Sequence, residues 1–469
     1  MNKLLKRTLM VGALAGCLAT AAWAGNVEMD MVGDGSILYP GAADGYYETN
    51  YTSVNENGDK TPADTKLYFN GNGDVTWGTT TYANGTTTYR YEYDAKGNLV
   101  KSVQVAPTTQ SKIVTTETYT YNEDGDLTQS RYYSDWNGQI DDYTYTYKYE
   151  ANKLTVNVDI ASEGEIVATR TIVYTLNDNG DPVKRVRVYK EGNLPEDTSV
   201  EVYTYDEKGN LISVAAGEDD KREITTYEYN DKDLCVASTW NPSEYSAEHY
   251  HSVPNTVKYE YDENGNLTKK TYDSIYETYT YAAIPKEASK SEFKDVAPET
   301  YYSAPVIWAA ENEITNGIDT EGNFGPDSNC TRGQLMTFLW RAAGSPEPKT
   351  TESPFTDVQD TSIYYYKAVL WAVENGVTKG VNTDGTLFAP DATCTRAQIV
   401  TMIYRAAGEP KVTAENPFTD VEKNDYYDAI LWAVKNGVTT GISKTEFAPN
   451  TTCTRGQGVT FLYRGIGLY

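Results

Sequence analysis

The chain has 469 residues, a length that predicts about three domains of ordinary size, and its composition is strongly acidic. It contains 67 Asp and Glu against 40 Lys and Arg, a formal net charge of −27, and 41 Tyr beside 9 Phe. This charge argues against a nucleic-acid partner, because phosphate binding needs a positive surface. It argues equally against adhesion to anionic lipid.

Residues 1–24 have the pattern of a signal peptide. Three basic residues within the first seven precede an apolar run, which ends at the small-x-small sequence Ala22-Trp23-Ala24. We therefore predict cleavage before Gly25 and a secreted protein. The sequence Leu14-Ala15-Gly16-Cys17 leaves open a lipobox, which would make Cys17 a lipid-modified first residue. No later apolar run is long enough to span a bilayer, so no membrane-spanning segment is expected after signal removal.

Residues 25–285 repeat a short Tyr-rich phrase. In each copy, Tyr-x-Tyr places two rings on one face of a strand. The following Asp-x-x-Gly-Asn or a close variant then turns the chain, with Gly in the left-handed position of a bulged hairpin. We predict an all-β antiparallel hairpin meander with a tyrosine ladder, which serves either as a scaffold or as a sugar-binding platform. The four clearest copies are Tyr91–Leu99, Tyr119–Leu127, Tyr203–Leu211 and Tyr259–Leu267.

These phrases resemble YD repeats, the Tyr-Asp units of RHS-type extracellular proteins, over roughly Lys66–Tyr281. Such proteins often form closed shells from many more copies. The resemblance therefore implies a twisted or partly rolled sheet here, displayed as a scaffold or adhesive module whose ligand is unknown.

The composition changes near Ala282, where a polar linker begins and helical spacing replaces strand alternation. Two further linkers divide the C-terminal region into three repeats at 286–345, 346–409 and 410–469. Each repeat opens with Phe-x-Asp-Val and continues with a Trp-containing amphipathic helix and a Gly-bearing loop. The motif Cys-Thr-Arg-small-Gln then opens a second helix, so this region is predicted to be mainly α.

The Cys-Thr-Arg motif predicts a capped helix start in each repeat. Thr followed three residues later by Gln, before an apolar run, is a capping box; the caps are Thr331, Thr395 and Thr454, and the partners are Gln334, Gln398 and Gln457. Arg at the first helical position would meet free backbone N–H groups, and together these groups favour an anion. The alternative is a solvated arginine that pairs with a neighbouring Asp.

About Ser291–Tyr469 resembles three tandem S-layer homology (SLH) domains, through the Phe-x-Asp-Val opening, the helical Trp, the Phe-x-Pro of the loop and the helix-start motif. The resemblance implies a pseudo-threefold helical prong whose grooves bind secondary cell-wall polysaccharide, often through the carboxylates of pyruvate ketals. It implies polysaccharide-binding roles for Arg332, Arg396, Arg455, Asp295, Asp357, Asp420, Trp308, Trp371 and Trp432. From the residues alone, the Trp side chains could instead be core, and the Asp side chains could cap the first helices.

This chain departs from the SLH pattern at several positions. Gln replaces the usual Glu in all three helix-start motifs, and Cys replaces the usual Ile or Val before Thr. Glu313 stands where the other repeats have Gly376 and Gly437. We expect Cys235, Cys330, Cys394 and Cys453 to be small buried residues, because no CxxC spacing suggests zinc.

These features together predict a cell-surface protein of the cell wall or S-layer, anchored to secondary cell-wall polysaccharide or peptidoglycan. No catalytic residue, cofactor or metal site is predicted, and we expect no enzyme activity. Two alternatives stay open. One is a wall-bound enzyme that acts on glycan or peptidoglycan, with its site in the β region. The other is a modified peptidoglycan ligand in a diderm envelope.

Overall fold

The computed structural model describes residues 28–29, 38–39 and 46–465, except 71, 108–111, 137–138, 163, 218–221, 251, 274, 286–288 and 299. The chain forms two compact units that divide between residues 286 and 287. The predicted signal peptide and Cys17 lie outside the described residues. No helix in the described part of the chain is long and apolar enough to cross a membrane.

The first unit is built from antiparallel strands. A short pair, β1 and β2, is separate, and β3 to β20 form one sheet in which each strand pairs with its neighbours in the sequence. The strands are β1 Glu28–Met29, β2 Leu38–Tyr39, β3 Tyr46–Val54, β4 Lys60–Phe69, β5 Val75–Tyr82, β6 Gly85–Tyr93, β7 Leu99–Pro107, β8 Lys112–Tyr121, β9 Leu127–Trp136, β10 Gln139–Glu150, β11 Lys153–Ser162, β12 Glu165–Leu176, β13 Pro182–Glu191, β14 Asp197–Tyr205, β15 Leu211–Ala216, β16 Glu223–Tyr229, β17 Cys235–Asn241, β18 Asn255–Tyr261, β19 Leu267–Tyr272 and β20 Ile275–Ala283.

Within the described residues, eighteen strands close into a barrel, because β20 pairs with β3 along Tyr276↔Val54 to Ala283↔Tyr46. The expectation of a twisted or partly rolled sheet is therefore wrong on this point. Closure removes the two exposed strand edges that an open sheet of this length would carry.

The repeated turn sequence makes a self-contained hairpin. Asp94 Oδ1 accepts hydrogen bonds from the backbone N–H groups of Lys96 (2.8 Å) and Asn98 (2.9 Å), and Gly97 has a φ of 82°. The β6–β7 register shifts beside this turn, between Glu92 and Tyr93. Asp206 and Asp262 hold their turns in the same way. The Asp and Gly of the phrase therefore set a bulged turn.

In at least four copies of the phrase, the second Tyr joins one hairpin to the previous one. Its hydroxyl donates to the backbone carbonyl of the residue that begins the preceding strand: Tyr93 to Val75 (3.0 Å), Tyr121 to Leu99 (2.9 Å), Tyr205 to Pro182 (2.8 Å) and Tyr229 to Leu211 (2.8 Å). The first Tyr is buried with the aliphatic side chains of the core, as Tyr119, Tyr203, Tyr227 and Tyr259 show. The tyrosines thus serve the barrel itself.

The second unit contains six helices among the described residues, two in each C-terminal repeat, while α1 (Glu244–Tyr250) belongs to the first unit. The six are α2 Ser303–Glu311, α3 Arg332–Ala342, α4 Tyr366–Glu374, α5 Arg396–Ala406, α6 Tyr427–Lys435 and α7 Arg455–Arg464. The second helix of one repeat packs on the first helix of the next: α3 on α4, α5 on α6, and α7 back on α2. This cyclic order relates the repeats by a pseudo-threefold axis.

The three motif cysteines meet at this axis. Their backbones form a closed triangle of hydrogen bonds, from Cys330 N to Cys453 O (3.0 Å), from Cys394 N to Cys330 O (2.9 Å) and from Cys453 N to Cys394 O (2.9 Å). All three side chains are buried free thiols, as is Cys235 in the barrel. A small apolar side chain fits here because three copies must share the space around one axis.

Candidate functional site

Each motif helix begins with a complete capping box. Thr331 Oγ1 accepts from the Gln334 backbone N–H (3.3 Å), and Gln334 Oε1 accepts from the Thr331 backbone N–H (3.1 Å). The same two bonds start the helices at Thr395 with Gln398 and at Thr454 with Gln457. Gln therefore performs the reciprocal bond that Glu would make, without its charge.

The next backbone N–H groups of each helix are occupied by the following repeat. Arg332 N donates to Ala392 O (2.9 Å), and Gly333 N donates to Pro390 O (2.8 Å). Corresponding carbonyls accept from the helix starts at Arg396 and Arg455. The expectation of free N–H groups at these helix starts is wrong, because carbonyl oxygens at and after the Phe-x-Pro turn of the neighbouring repeat accept their hydrogen bonds.

The motif arginines are buried between repeats. Arg332 is 4% exposed, and its Nε donates to Phe388 O (2.8 Å) while the guanidinium lies 4.8 Å from the centre of the Phe388 ring. Its Nη2 is 3.4 Å from Thr378 Oγ1. The equivalent pairs are Arg396 with Phe447 (3.0 Å bond, 4.9 Å to the ring) and Arg455 with Phe324 (2.8 Å, 4.7 Å).

These arginines have no acidic partner. Among the described residues, no Asp or Glu oxygen lies within 4.0 Å of the three guanidinium groups, and no group hydrogen-bonds to their Nη1 atoms. The alternative of a solvated arginine paired with Asp is therefore wrong. Burial lowers the pKa of all three side chains, although Asp357, Asp420 and Asp295 respectively oppose the effect from a distance.

The aspartates of the Phe-x-Asp-Val openings support the phenylalanines that hold the arginines. Asp357 accepts from Phe388 N (2.9 Å) through Oδ1 and from Ala389 N (2.7 Å) through Oδ2. Asp295 and Asp420 make the same two bonds to their own turns. They do not cap the first helices, whose N-cap residues are Tyr302, Tyr365 and Tyr426 with no side-chain cap bond. That alternative is therefore wrong.

The helical tryptophans are buried where repeats pack together. Trp308, Trp371 and Trp432 are 5%, 9% and 5% exposed. The Trp308 ring lies 5.6 Å from Tyr463, and the Trp432 ring lies 5.5 Å from Tyr404, each on a neighbouring repeat. The structure thus brings Arg, Asp and Phe together at each boundary and places Trp in the core beside them.

Sequence reasoning missed the phenylalanines of the Phe-x-Pro turns. Phe324, Phe388 and Phe447 are fully buried, and they supply both the carbonyl and the aromatic face that receive Arg from the preceding repeat. The available signal was the recurrence of Phe-x-Pro in all three copies. Within the part of the chain that is described, no group of three His, Cys, Asp or Glu side chains could hold a metal ion.

The S-layer homology domain model matches residues 292–336, 354–400 and 417–457, so the C-terminal repeats are three SLH domains. A surface-layer 125 kDa protein of Lysinibacillus sphaericus is 36% identical over 116 residues, which cover 24% of this chain and 10% of that protein. An endoglucanase of Bacillus sp. (strain KSM-635) is 36% identical over 116 residues, which cover 25% of this chain and 12% of that protein. A cell surface protein of Thermoanaerobacter kivui is 31% identical over 121 residues, which cover 24% of this chain and 16% of that protein. The chain spans less than a fifth of the length of these curated relatives.

Two solved structures share weak similarity with the chain. A porin-like protein from Bacteroides vulgatus ATCC 8482 aligns with 41% of this chain and 93% of its own, at 14% identity and a TM-score of 0.24. The TcdB2-TccC3-Cdc42 structure aligns over 45% of this chain and 11% of its own, at 12% identity and a TM-score of 0.18. Scores this low support no conclusion about the barrel, and its resemblance to YD repeats stays a hypothesis.

Proposed function

We propose that this chain is an exported cell-surface protein, held non-covalently on the bacterial cell wall by its three SLH domains. The ligand is a secondary cell-wall polysaccharide, bound through the carboxylates of its pyruvate ketals. The barrel is displayed as a scaffold or adhesive module. The SLH match supports this assignment, as do relatives described as a surface-layer protein and a cell surface protein. One relative is an endoglucanase, so similarity in this region does not separate enzymes from other proteins.

The observation that carries the proposal is the set of three buried arginines without a carboxylate. A charge removed from water without a counter-ion is costly, and an incoming anion that meets the guanidinium recovers that cost. Arg332, Arg396 and Arg455 each use Nε on a carbonyl, and no group on the described residues hydrogen-bonds to Nη1. Nη1 is therefore the donor that remains for a ligand carboxylate.

The other predicted site residues then act through the arginines. Asp295, Asp357 and Asp420 fix the turn whose Phe carbonyl orients each guanidinium, and we assign them a positioning role. Trp308, Trp371 and Trp432 keep adjacent repeats together, so that Arg from one repeat meets Phe from the next.

The test is sedimentation of the full chain with native cell walls and with walls stripped of secondary polymer by acid extraction. A variant with Arg332→Gln, Arg396→Gln and Arg455→Gln is expected to lose binding to native walls. A control with Lys349→Ala, Lys367→Ala and Lys411→Ala removes the same charge from exposed positions and should bind normally. Far-ultraviolet circular dichroism checks that each variant is folded.

Binding that requires both the polymer and the arginines supports the proposal. Equal binding to stripped walls would identify peptidoglycan as the ligand and overturn the polysaccharide assignment. Absence of binding by the unmodified chain would overturn the anchoring function.

A further inference from the structure

The residue seven positions before the helical Trp differs among the repeats. It is Tyr301 in the first, Tyr364 in the second and Asp425 in the third. The two tyrosines are 57% and 55% exposed, whereas the phenylalanines of the Phe-x-Pro turns and the helical tryptophans are buried. Each exposed ring stands edge-on against the next tyrosine: Tyr301 on Tyr302 at 5.0 Å and 81°, and Tyr364 on Tyr365 at 5.0 Å and 79°. These contacts restrict the rings and leave an aromatic face toward solvent.

Both exposed tyrosines lie beside a motif helix start. Tyr301 directly precedes Tyr302, whose ring lies beside the first turn of the helix that begins at Arg455. The Tyr302 ring below it would lie 3.2 Å from a Cβ added to Gly456.

The second repeat has the same arrangement. A Cβ added to Gly333 would lie 2.9 Å from the Tyr365 ring, and Tyr364 directly precedes Tyr365 in the chain. Each tyrosine pair is thus packed against the first turn that carries Arg455 or Arg332.

The Arg396 site lacks these features. Asp425 takes the place of the exposed ring, and Ala397 takes the place of Gly333 and Gly456. Ala397 carries a Cβ at the position where a Cβ added to Gly333 or Gly456 would lie within 3.2 Å of a tyrosine ring.

The arginine itself is also bound differently at the third site. Arg396 Nη2 donates to Thr440 O at 2.9 Å, in addition to a contact of 3.4 Å with Thr439 Oγ1. Arg332 Nη2 has only its 3.4 Å bond to Thr378 Oγ1, and Arg455 Nη2 has a 3.3 Å bond to Gly317 O. The protein therefore accepts more hydrogen bonds from the Arg396 guanidinium than from that of Arg332 or Arg455.

Net charge is not what separates the three sites. Asp327 and Asp391 directly follow Pro326 and Pro390, whose carbonyls accept from the helix starts at the Arg455 and Arg332 sites. At the Arg396 site, Asn450 stands at that position and the carboxylate is Asp425. Each site therefore has one carboxylate at these positions. The sites differ instead in the exposed tyrosine ring and in the number of hydrogen bonds that the protein already accepts from the arginine.

We infer that only the Arg332 and Arg455 sites bind the wall saccharide, with Tyr364 and Tyr301 stacking on its sugar ring, and that the Arg396 site is structural. This inference rests on the proposed function. It makes the exposed tyrosines binding residues, and it sets the stoichiometry at two ligands per chain. The amphipathic tyrosine ring suits this role, because its face can cover the C–H surface of a sugar while its hydroxyl stays hydrated.

The test is calorimetric titration of the full chain with the methyl glycoside of a hexose that carries a pyruvate ketal. We expect two sites. Tyr301→Asp and Tyr364→Asp copy the third repeat and should each abolish one site, lowering its affinity at least tenfold. Tyr301→Phe and Tyr364→Phe are the matched controls and should keep both sites. These positions are exposed, so the variants should unfold at the same temperature as the parent.

The decisive measurements are the number of sites in the parent chain and the losses caused by Tyr301→Asp and Tyr364→Asp. Three equivalent sites, one site, or unchanged binding after Tyr→Asp would overturn the inference while leaving the anchoring function intact. Absence of binding by the parent chain would instead contradict the proposed function.

Discussion

At the scale of single residues, each motif arginine stabilises the boundary between two repeats through Nε, while its Nη1 makes no hydrogen bond to the described residues. Arg455 donates from Nε to Phe324 O and lies between the rings of Phe324 (4.7 Å) and Phe338 (5.1 Å). A planar guanidinium can use its face and its edge at once, whereas a lysine ammonium cannot. This explains why all three repeats use arginine at a helix start, where the helix dipole disfavours a cation.

Glu313 is a single-residue departure with a measurable cost. Its φ is 57°, in the left-handed region, and the equivalent residues Gly376 and Gly437 have φ of 68° and 69°. A residue with a Cβ is strained there by about 1 kcal/mol. Glu313→Gly is therefore expected to stabilise the chain by roughly 0.5–1 kcal/mol in urea unfolding. The reciprocal variant Gly376→Ala should destabilise it, and stabilisation by both changes would contradict the explanation.

At the scale of elements, the turn residues and the strand tyrosines of the repeated phrase have different structural roles. Asp and Gly close the turn within five residues, while the second Tyr reaches the neighbouring hairpin. Local bonds thus define each hairpin, and tyrosine hydroxyls connect the hairpins in series.

Removing one of these hydroxyls should weaken the link between two neighbouring hairpins without creating a cavity in the core. In Tyr229→Phe the Leu211 carbonyl loses its 2.8 Å hydrogen bond, and we expect a loss of about 1 kcal/mol in the free energy of unfolding. Tyr250→Phe, at a 70% exposed position, serves as the control and should change stability little. Equal effects of the two changes would argue against a junction role.

A buried carboxyl predicts how barrel stability depends on pH. Burial raises the pKa of Glu117 to about 7, against opposing hydrogen bonds from Tyr119 and Ser102. Because the folded barrel prefers the protonated form, this contribution is complete below the ordinary pKa near 4.5 and is lost as the pH rises through about 7. Urea midpoints of the barrel transition should fall between pH 5 and pH 8, and Glu117→Gln should reduce that fall. An unchanged slope in this variant would exclude Glu117 as a source.

At the scale of the whole molecule, the barrel sheet and the SLH unit are each closed by a contact between their first and last elements. β20 pairs with β3 in the barrel, and α7 packs on α2 in the SLH unit. Closure leaves the axial cysteines inaccessible, and burial raises the pKa of the Cys394 thiol to about 11 and that of Cys453 to about 12.

The native chain should therefore resist thiol alkylation. In the chain without residues 1–24, iodoacetamide at pH 8 is expected to leave Cys235, Cys330, Cys394 and Cys453 unmodified in the folded protein and to label all four in denaturant, because reaction needs an accessible thiolate. Mass spectrometry of the intact chain counts the additions. Rapid labelling of Cys394 under native conditions would contradict the closed arrangement of the three repeats.

Features that depend on neighbours within a few residues can be predicted from the sequence. Thr331 and Gln334 are three residues apart, and Asp94 and Asn98 are four apart, so capping boxes and turns follow from local bonding rules. The burial of the motif arginines cannot be predicted in this way, because their partners lie far away in the chain: Phe388 is 56 residues from Arg332, and Phe324 is 131 residues from Arg455. Barrel closure has the same origin, since Tyr279 pairs with Tyr51 only after every intervening strand has set the curvature of the sheet. Periodicity specifies which face of an element is apolar, but the partner of that face depends on packing the whole chain.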